Sequence, residues 1–243
     1  MSMTQPTPPN CTKQQSSLTF RELVYALTPY SISKFMVARK CGLNRQKTIP
    51  KNPNVAVYPP SMDINRVVEK ELDKCVSFLP YCAKPLGENC CPLNTPSDGR
   101  KSQDCLKLNG KKCNIPCSLG KMIDVLKEHE FTSDRIFIID SDSNLFPWLK
   151  QKKEEGYRYF MPGVGCPYGV NYALDHVEKD LGFTGCVIFI EDYDPSDPKN
   201  GVCRNPSDYL NMEYGDKGKK TQIPDNAIKL MSQIFDGSVF TKV

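Results

Sequence analysis

Apolar residues first take up helical spacing at Phe20, Leu23, Val24 and Leu27, with Ser17 or Thr19 placed to cap the turn. Before them, residues 1–17 are polar and proline-rich and read as a disordered tail. Beyond Pro29, Ile32, Phe35 and Met36 continue an apolar face opposite Lys34, Arg39 and Lys40. Such a face suits peripheral association with a membrane through residues 18–40. Its shortness favours the plainer reading, a helix packed on the rest of the chain. Residues 44–61 contain four prolines and read as a linker loop. From Ser61 a stripe of Ile64, Val67, Val68, Leu72 and Val76 predicts one helix running to Pro80.

After Cys117 the chain becomes regular. SLGKMIDVLKEHEF predicts a helix, with Ser118 near its start and Leu119, Met122, Ile123 and Leu126 on its inner face. RIFIID (135–140) is a continuous apolar run, as expected of a strand buried on both sides. A short helix follows over 141–156, then a strand over 157–163 and a helix over 168–182. A third strand spans 183–192, and a last helix lies near 225–235. Strands alternating with helices predict an α/β fold, a mainly parallel sheet with flanking helices. To this are added a cysteine-rich loop region and an N-terminal helical segment. The expected organisation is a tail (1–17), a helical segment with a proline-rich linker (18–60) and a cysteine-rich α/β domain (61–243).

Composition narrows the function. The 243 residues carry 32 Lys and Arg against 28 Asp and Glu, a net charge of +4. That mild surplus is scattered, so nucleic acid is not an expected partner. No apolar run is long enough for a membrane span. The polar start lacks the charged and apolar regions of a secretory leader, which makes the cytoplasm the expected compartment.

Twelve cysteines are many for a reducing compartment. Seven fall between Cys75 and Cys117, in a stretch rich in Pro, Gly, Asn, Ser and Lys that can bury little apolar surface. A cross-link is expected there: a metal or cluster bound by thiolates, or else disulfides. Cys113 and Cys117 bracket a helix start, where amide N–H groups favour thiolates. Cys166 sits in MPGVGCPYG, between a strand and a helix, where parallel sheets present ligands. Cys186 lies in an apolar strand and reads as a core thiol. The spacing of Asp140, Asp142 and Asn144 resembles a calcium loop, but Leu145 and Gln151 occupy positions that need Gly and Glu, so a helix cap is expected instead.

Four stretches together resemble the domain-of-unknown-function 116 family of anaerobic bacteria and archaea. They are FLPYC (78–82), CCP (90–92), Cys105, Cys113 and Cys117 with the helix that follows, and PGVGC (162–166). The resemblance covers roughly residues 60–190. It implies a cytoplasmic iron–sulfur protein of an anaerobe, and it leaves the catalytic residues, if any, unnamed. The ligand set it suggests is Cys82, Cys91, Cys105, Cys113, Cys117 and Cys166. One [4Fe–4S] cluster needs four of these, leaving thiols for a second centre. Electron transfer or anaerobic cofactor and enzyme maturation, with a redox or maturation protein as partner, is the expected role. Two other readings stay open: a zinc-stapled interaction module without redox chemistry, and a disulfide-rich extracytoplasmic binding protein.

Overall fold

The computed structural model describes residues 36–37, 39–40, 48–52, 54–85, 91–93, 103–140, 142–192, 221–222 and 225–242. Its centre is a five-stranded sheet of order β2-β6-β5-β3-β4. The strands are β2 (Val55–Tyr58), β3 (Cys75–Pro80), β4 (Ile136–Ile139), β5 (Tyr159–Gly165) and β6 (Thr184–Phe189). β3, β4, β5 and β6 run parallel, and β2 pairs antiparallel with β6 at one edge. Two small ladders lie outside the sheet. One joins β1 (Thr48–Pro50) to β9 (Phe240–Lys242), the other β7 (Glu191–Asp192) to β8 (Thr221–Gln222).

Side chains alternate across a strand, so a sheet buried on both sides needs two cores. One core gathers Leu79, Ile138, Val164 and Ile188 with α1 (Ile64–Lys70), α2 (Ser118–Glu128) and α5 (Asp225–Phe235). The other gathers Phe78, Phe137, Phe160 and Val187 with α3 (Asp142–Glu154) and α4 (Pro167–Lys179). The result is a three-layer arrangement of helices, sheet and helices. The expected α/β class, and three strands of one mainly parallel sheet within residues 134–192, are what the structure has.

Two boundaries differ from expectation. The helix expected from Ser61 to Pro80 is only seven residues long, capped by Asp63, whose carboxylate accepts the Arg66 N–H at 3.2 Å. A 3₁₀ turn (Leu72–Lys74) follows, and Cys75–Pro80 is an interior strand of the sheet, between β5 and β4, buried at every position. Periodicity failed because a strand buried on both faces shows no alternation, and Val76 falls by chance on the helical stripe. Likewise the linker at 44–61 contains β1 and β2. Of the described prolines there, Pro50 ends β1 and Pro59 and Pro60 lie in the turn after β2, where a missing N–H breaks no interior ladder.

The N-terminal helical segment lies largely outside the described residues. Of it, Val37 is fully buried in the core with α3 and α4, and the Lys40 ammonium donates to the Asn171 carbonyl at 2.9 Å. Among the described residues no helix is long and apolar enough to cross a membrane.

The order of strands creates a switch point. From β3 the chain crosses through α2 to β4 on one side, then returns through α3 to β5 on the other. Crossovers leaving in opposite directions open a crevice at the carboxyl ends of β3 and β5. Phe78 lies opposite Gly163 there, and a Cβ on Gly163 would meet the Phe78 ring at 2.3 Å. Only glycine lets the two strands hold that ring between them.

Candidate metal centre

β3 ends in a 3₁₀ turn, Tyr81–Ala83, that carries Cys82 and then Lys84. Lys84 is 2% exposed, and its ammonium donates to the Asp104 carbonyl at 2.9 Å. This bond ties the end of β3 to the segment carrying Cys105. That segment folds back on itself, Asn109 N–H bonding to Cys105 O and Lys111 N–H to Leu106 O. It is fastened to α2: the Lys127 ammonium donates to Lys107 O, Ser133 Oγ donates to Leu108 O, and Lys107 pairs with Asp124. Residues 103–117 were expected to depend on a cross-link for order. The structure supplies part of that order through lysines, which composition alone marks only as solvated charge.

Cys117 is the N-cap of α2, immediately before Ser118, the residue expected near the helix start. Its extended backbone lets Sγ accept the Gly120 N–H at 3.2 Å. Around this cap, Cys91, Cys105, Cys113 and Cys117 line one cavity of about 10 Å³, together with Lys84 and Gly120. Burial raises the Cys117 pKa, the Gly120 bond opposes it, and Cys105, Cys113 and Cys91 raise it further. Thiolates at those three positions would repel one at Cys117. Burial also lowers the pKa of Lys84, while Cys91, Cys105, Asp104 and Cys117 pull it back up. The lysine is therefore a cation within reach of those thiols should they ionise. Among the described residues no three His, Cys, Asp or Glu side chains are already placed to hold a metal ion.

The other two expected ligands lie elsewhere. Cys82 and Cys166 line a different cavity, of about 70 Å³, in the crevice at the ends of β3 and β5. Cys166 caps α4 as Cys117 caps α2, its Sγ accepting the Gly169 N–H at 3.4 Å. The turn 81–85 forms a common wall, Tyr81 and Cys82 facing the larger cavity and Lys84 and Pro85 the smaller. One convergent site was expected for Cys82, Cys105, Cys113, Cys117 and Cys166. The structure groups three of these with Cys91 and sets Cys82 and Cys166 apart.

Cys75 and Cys186 are fully buried. Cys75 donates to Glu71 O and Cys186 to Met161 Sδ, each at 3.4 Å. Burial pushes Cys75 up to about 12 and Cys186 higher still. All eight described cysteines are outside any disulfide. Cys11, Cys41, Cys90 and Cys203 lie outside the described residues. At the end of β4, Asp140 accepts from the side-chain amides of Gln103 and Asn144, at 3.1 and 2.8 Å.

Lys84 and Gly120 are the residues sequence reasoning missed. A lysine two positions beyond a cysteine in CAKPL was the only signal for the first. The chain matches no protein-family model, no curated protein and no solved structure.

Proposed function

We propose that this chain is an iron–sulfur protein whose cluster is held by Cys91, Cys105, Cys113 and Cys117. The observation that carries this reading is the common cavity lined by those four thiols. Four cysteine thiolates are the complete donor set of a [2Fe–2S] or [4Fe–4S] centre. Thiols that share a cavity without converging on one point suit a cluster, in which each iron takes its own ligand. A single zinc ion instead needs all four sulfurs at about 2.3 Å. When bound, the cluster supplies one-electron oxidation and reduction.

The surrounding residues have definite tasks. Gly120 N–H and the amino end of α2 offer positive charge to Cys117. The buried Lys84 ammonium offsets part of the anionic charge of the ligand set. Leu119 closes the cavity on its core side. The partner expected for such a centre is a redox or maturation protein. The resemblance to the domain-of-unknown-function 116 family adds an anaerobic, cytoplasmic setting. A structural zinc site is the second reading, favoured by the small volume of the cavity.

Anaerobic purification with iron, acid-labile sulfide and zinc measured on the same sample decides between them. Iron and sulfide in matching amounts, with visible charge-transfer absorption, are expected. Cys113→Ser and Cys117→Ser should each lower the iron content, and Cys11→Ser should not. Full iron loading in both variants would remove the proposal, and equimolar zinc without iron would put the structural reading in its place.

A further inference from the structure

The larger cavity has no part in that centre, and its chemistry is distinct. It opens at the switch point of the sheet, where α/β folds place their ligands. Its lining includes Phe78, Tyr81, Ile139, Val164, Val170 and Ile190, and among the described residues no charged side chain lines it. Its two reactive groups are Cys82 and Cys166. Adjacent strands lie about 4.8 Å apart. The register that sets Phe78 opposite Gly163 therefore brings the ends of β3 and β5 level. Cys166 lies one residue beyond the end of β5 and Cys82 two beyond the end of β3, on the walls of one cavity, and a disulfide between them requires a Cα separation of about 4.4–6.8 Å. The Gly169 N–H on Cys166 Sγ, at the start of a 13-residue helix, favours the thiolate of that residue.

We propose that this crevice is a thiol–disulfide exchange site for a small disulfide with uncharged, apolar substituents, and that Cys166 and Cys82 carry the exchange. The Cys166 thiolate attacks one sulfur of the substrate. The substrate S–S bond breaks, and the first alkylthiolate leaves and takes up the proton that Cys166 released. Cys82, as thiolate, then attacks the Cys166 sulfur of the mixed disulfide. The second alkylthiolate leaves and takes up the Cys82 proton, and a Cys82–Cys166 disulfide remains. The two cysteines lose two electrons and the substrate gains them, becoming two thiols. Attack by Cys166 first follows from its helix-end hydrogen bond. The apolar substrate class follows from the uncharged lining, since a charged substituent entering it would lose hydration without a partner. The site is independent of whether the four-thiol cavity holds iron, zinc or neither.

The test uses the full-length protein, reduced and freed of small thiols under anaerobic conditions, with diethyl disulfide as probe. The expected result is release of both ethanethiols and a Cys82–Cys166 link found by mass spectrometry of unreduced peptides. Cys82→Ser should stop at a mixed disulfide on Cys166 with one ethanethiol released. Ala173→Leu, which narrows the crevice without touching either thiol, should slow the reaction. Glutathione disulfide, bulky and charged, should react at least about tenfold more slowly. A link mapped between other cysteines would overturn the proposal, as would undiminished release from Cys166→Ser. Equal rates with the two disulfides would overturn the apolar substrate class. Peptide mapping of the unmodified protein keeps the test decisive should a variant fail to fold.

Discussion

Arg135 joins three pieces of backbone. Its Nε donates to Cys75 O at 2.8 Å, Nη1 to Glu130 O at 3.3 Å and Nη2 to Leu72 O, while its guanidinium lies 4.3 Å from the centre of the Phe131 ring. The start of β3, the turn before it and the turn after α2 thus share one side chain. Arg135→Leu leaves those carbonyls short of a donor, and a loss of about 3 kcal/mol is expected. Urea unfolding should show a lower midpoint with unchanged slope.

A second residue-scale prediction concerns pH. The Tyr159 hydroxyl donates to Glu71 Oε2 at 3.0 Å. That bond, with the nearby Lys74 and Arg66, holds the Glu71 carboxyl below its ordinary 4.5. Burial, then the same bond, raises Tyr159 above its ordinary 10.0. A depressed carboxylate stabilises above its unfolded pKa and stops doing so as pH falls through the folded one. A raised phenol stabilises below its unfolded pKa and stops as pH rises through the folded one. Tyr159→Phe should therefore cost about 1 kcal/mol through the neutral range, and the difference should shrink below about pH 4. Unfolding curves of both proteins at pH 7 and pH 3 check this. For Cys75 and Cys186 the expected outcome is resistance to iodoacetamide at pH 8 until the chain is unfolded, because burial keeps both thiols protonated.

At the scale of elements, α2 shows how a helix cap and a proposed ligand can be one residue. A Cβ on Gly120 would lie 3.2 Å from Cys117 Sγ and equally close to Lys107 Cδ. Gly120→Ala gains about 1 kcal/mol of helix propensity and weakens a cap of similar worth. The melting temperature should change little, while metal content falls because the thiol is displaced. A marked drop in melting temperature with full metal content would contradict this. The amphipathic helices α2 and α4 were legible from their stripes, and β4 and β6 from their apolar runs. β3 was not, because its six residues are buried on both sides and follow a true helix without a glycine or proline between them. The proline in β5 illustrates a local accommodation no pattern reveals. Pro162 offers no N–H to the ladder, the pairing slips there, and its carbonyl accepts the buried Ser77 hydroxyl at 2.7 Å.

For the molecule as a whole, the division of the cysteines into two groups follows from strand order. The family resemblance of the cysteine segments suggested the candidate thiols. It could not say that β4 would lie on the far side of β3 from β5, and so that Cys82 would face Cys166 rather than Cys105. Long-range pairing of parallel strands is encoded in packing across many residues, none of which carries a local signature. The hydrogen bonds from Lys84, Lys127 and Ser133 give the connection between β3 and α2 some order of its own. Chelation should therefore make that connection the first site of proteolysis while the circular dichroism of the sheet and helices persists. Loss of both together would mean that metal and fold are one cooperative unit.

β3, an interior strand, is the earliest of the four parallel strands to leave the ribosome. Residues 81–135 must follow before β4 appears, and β5 comes later still. At ~5–20 residues per second, β3 waits roughly 3–10 s for its first neighbour. Throughout that interval Val76, Phe78 and Leu79 have no sheet to enter, and before it ends every cysteine up to Cys117 has been synthesised. The nascent chain thus presents a sticky strand and an unfilled set of thiols at the same moment, and whatever shields the first has access to the second.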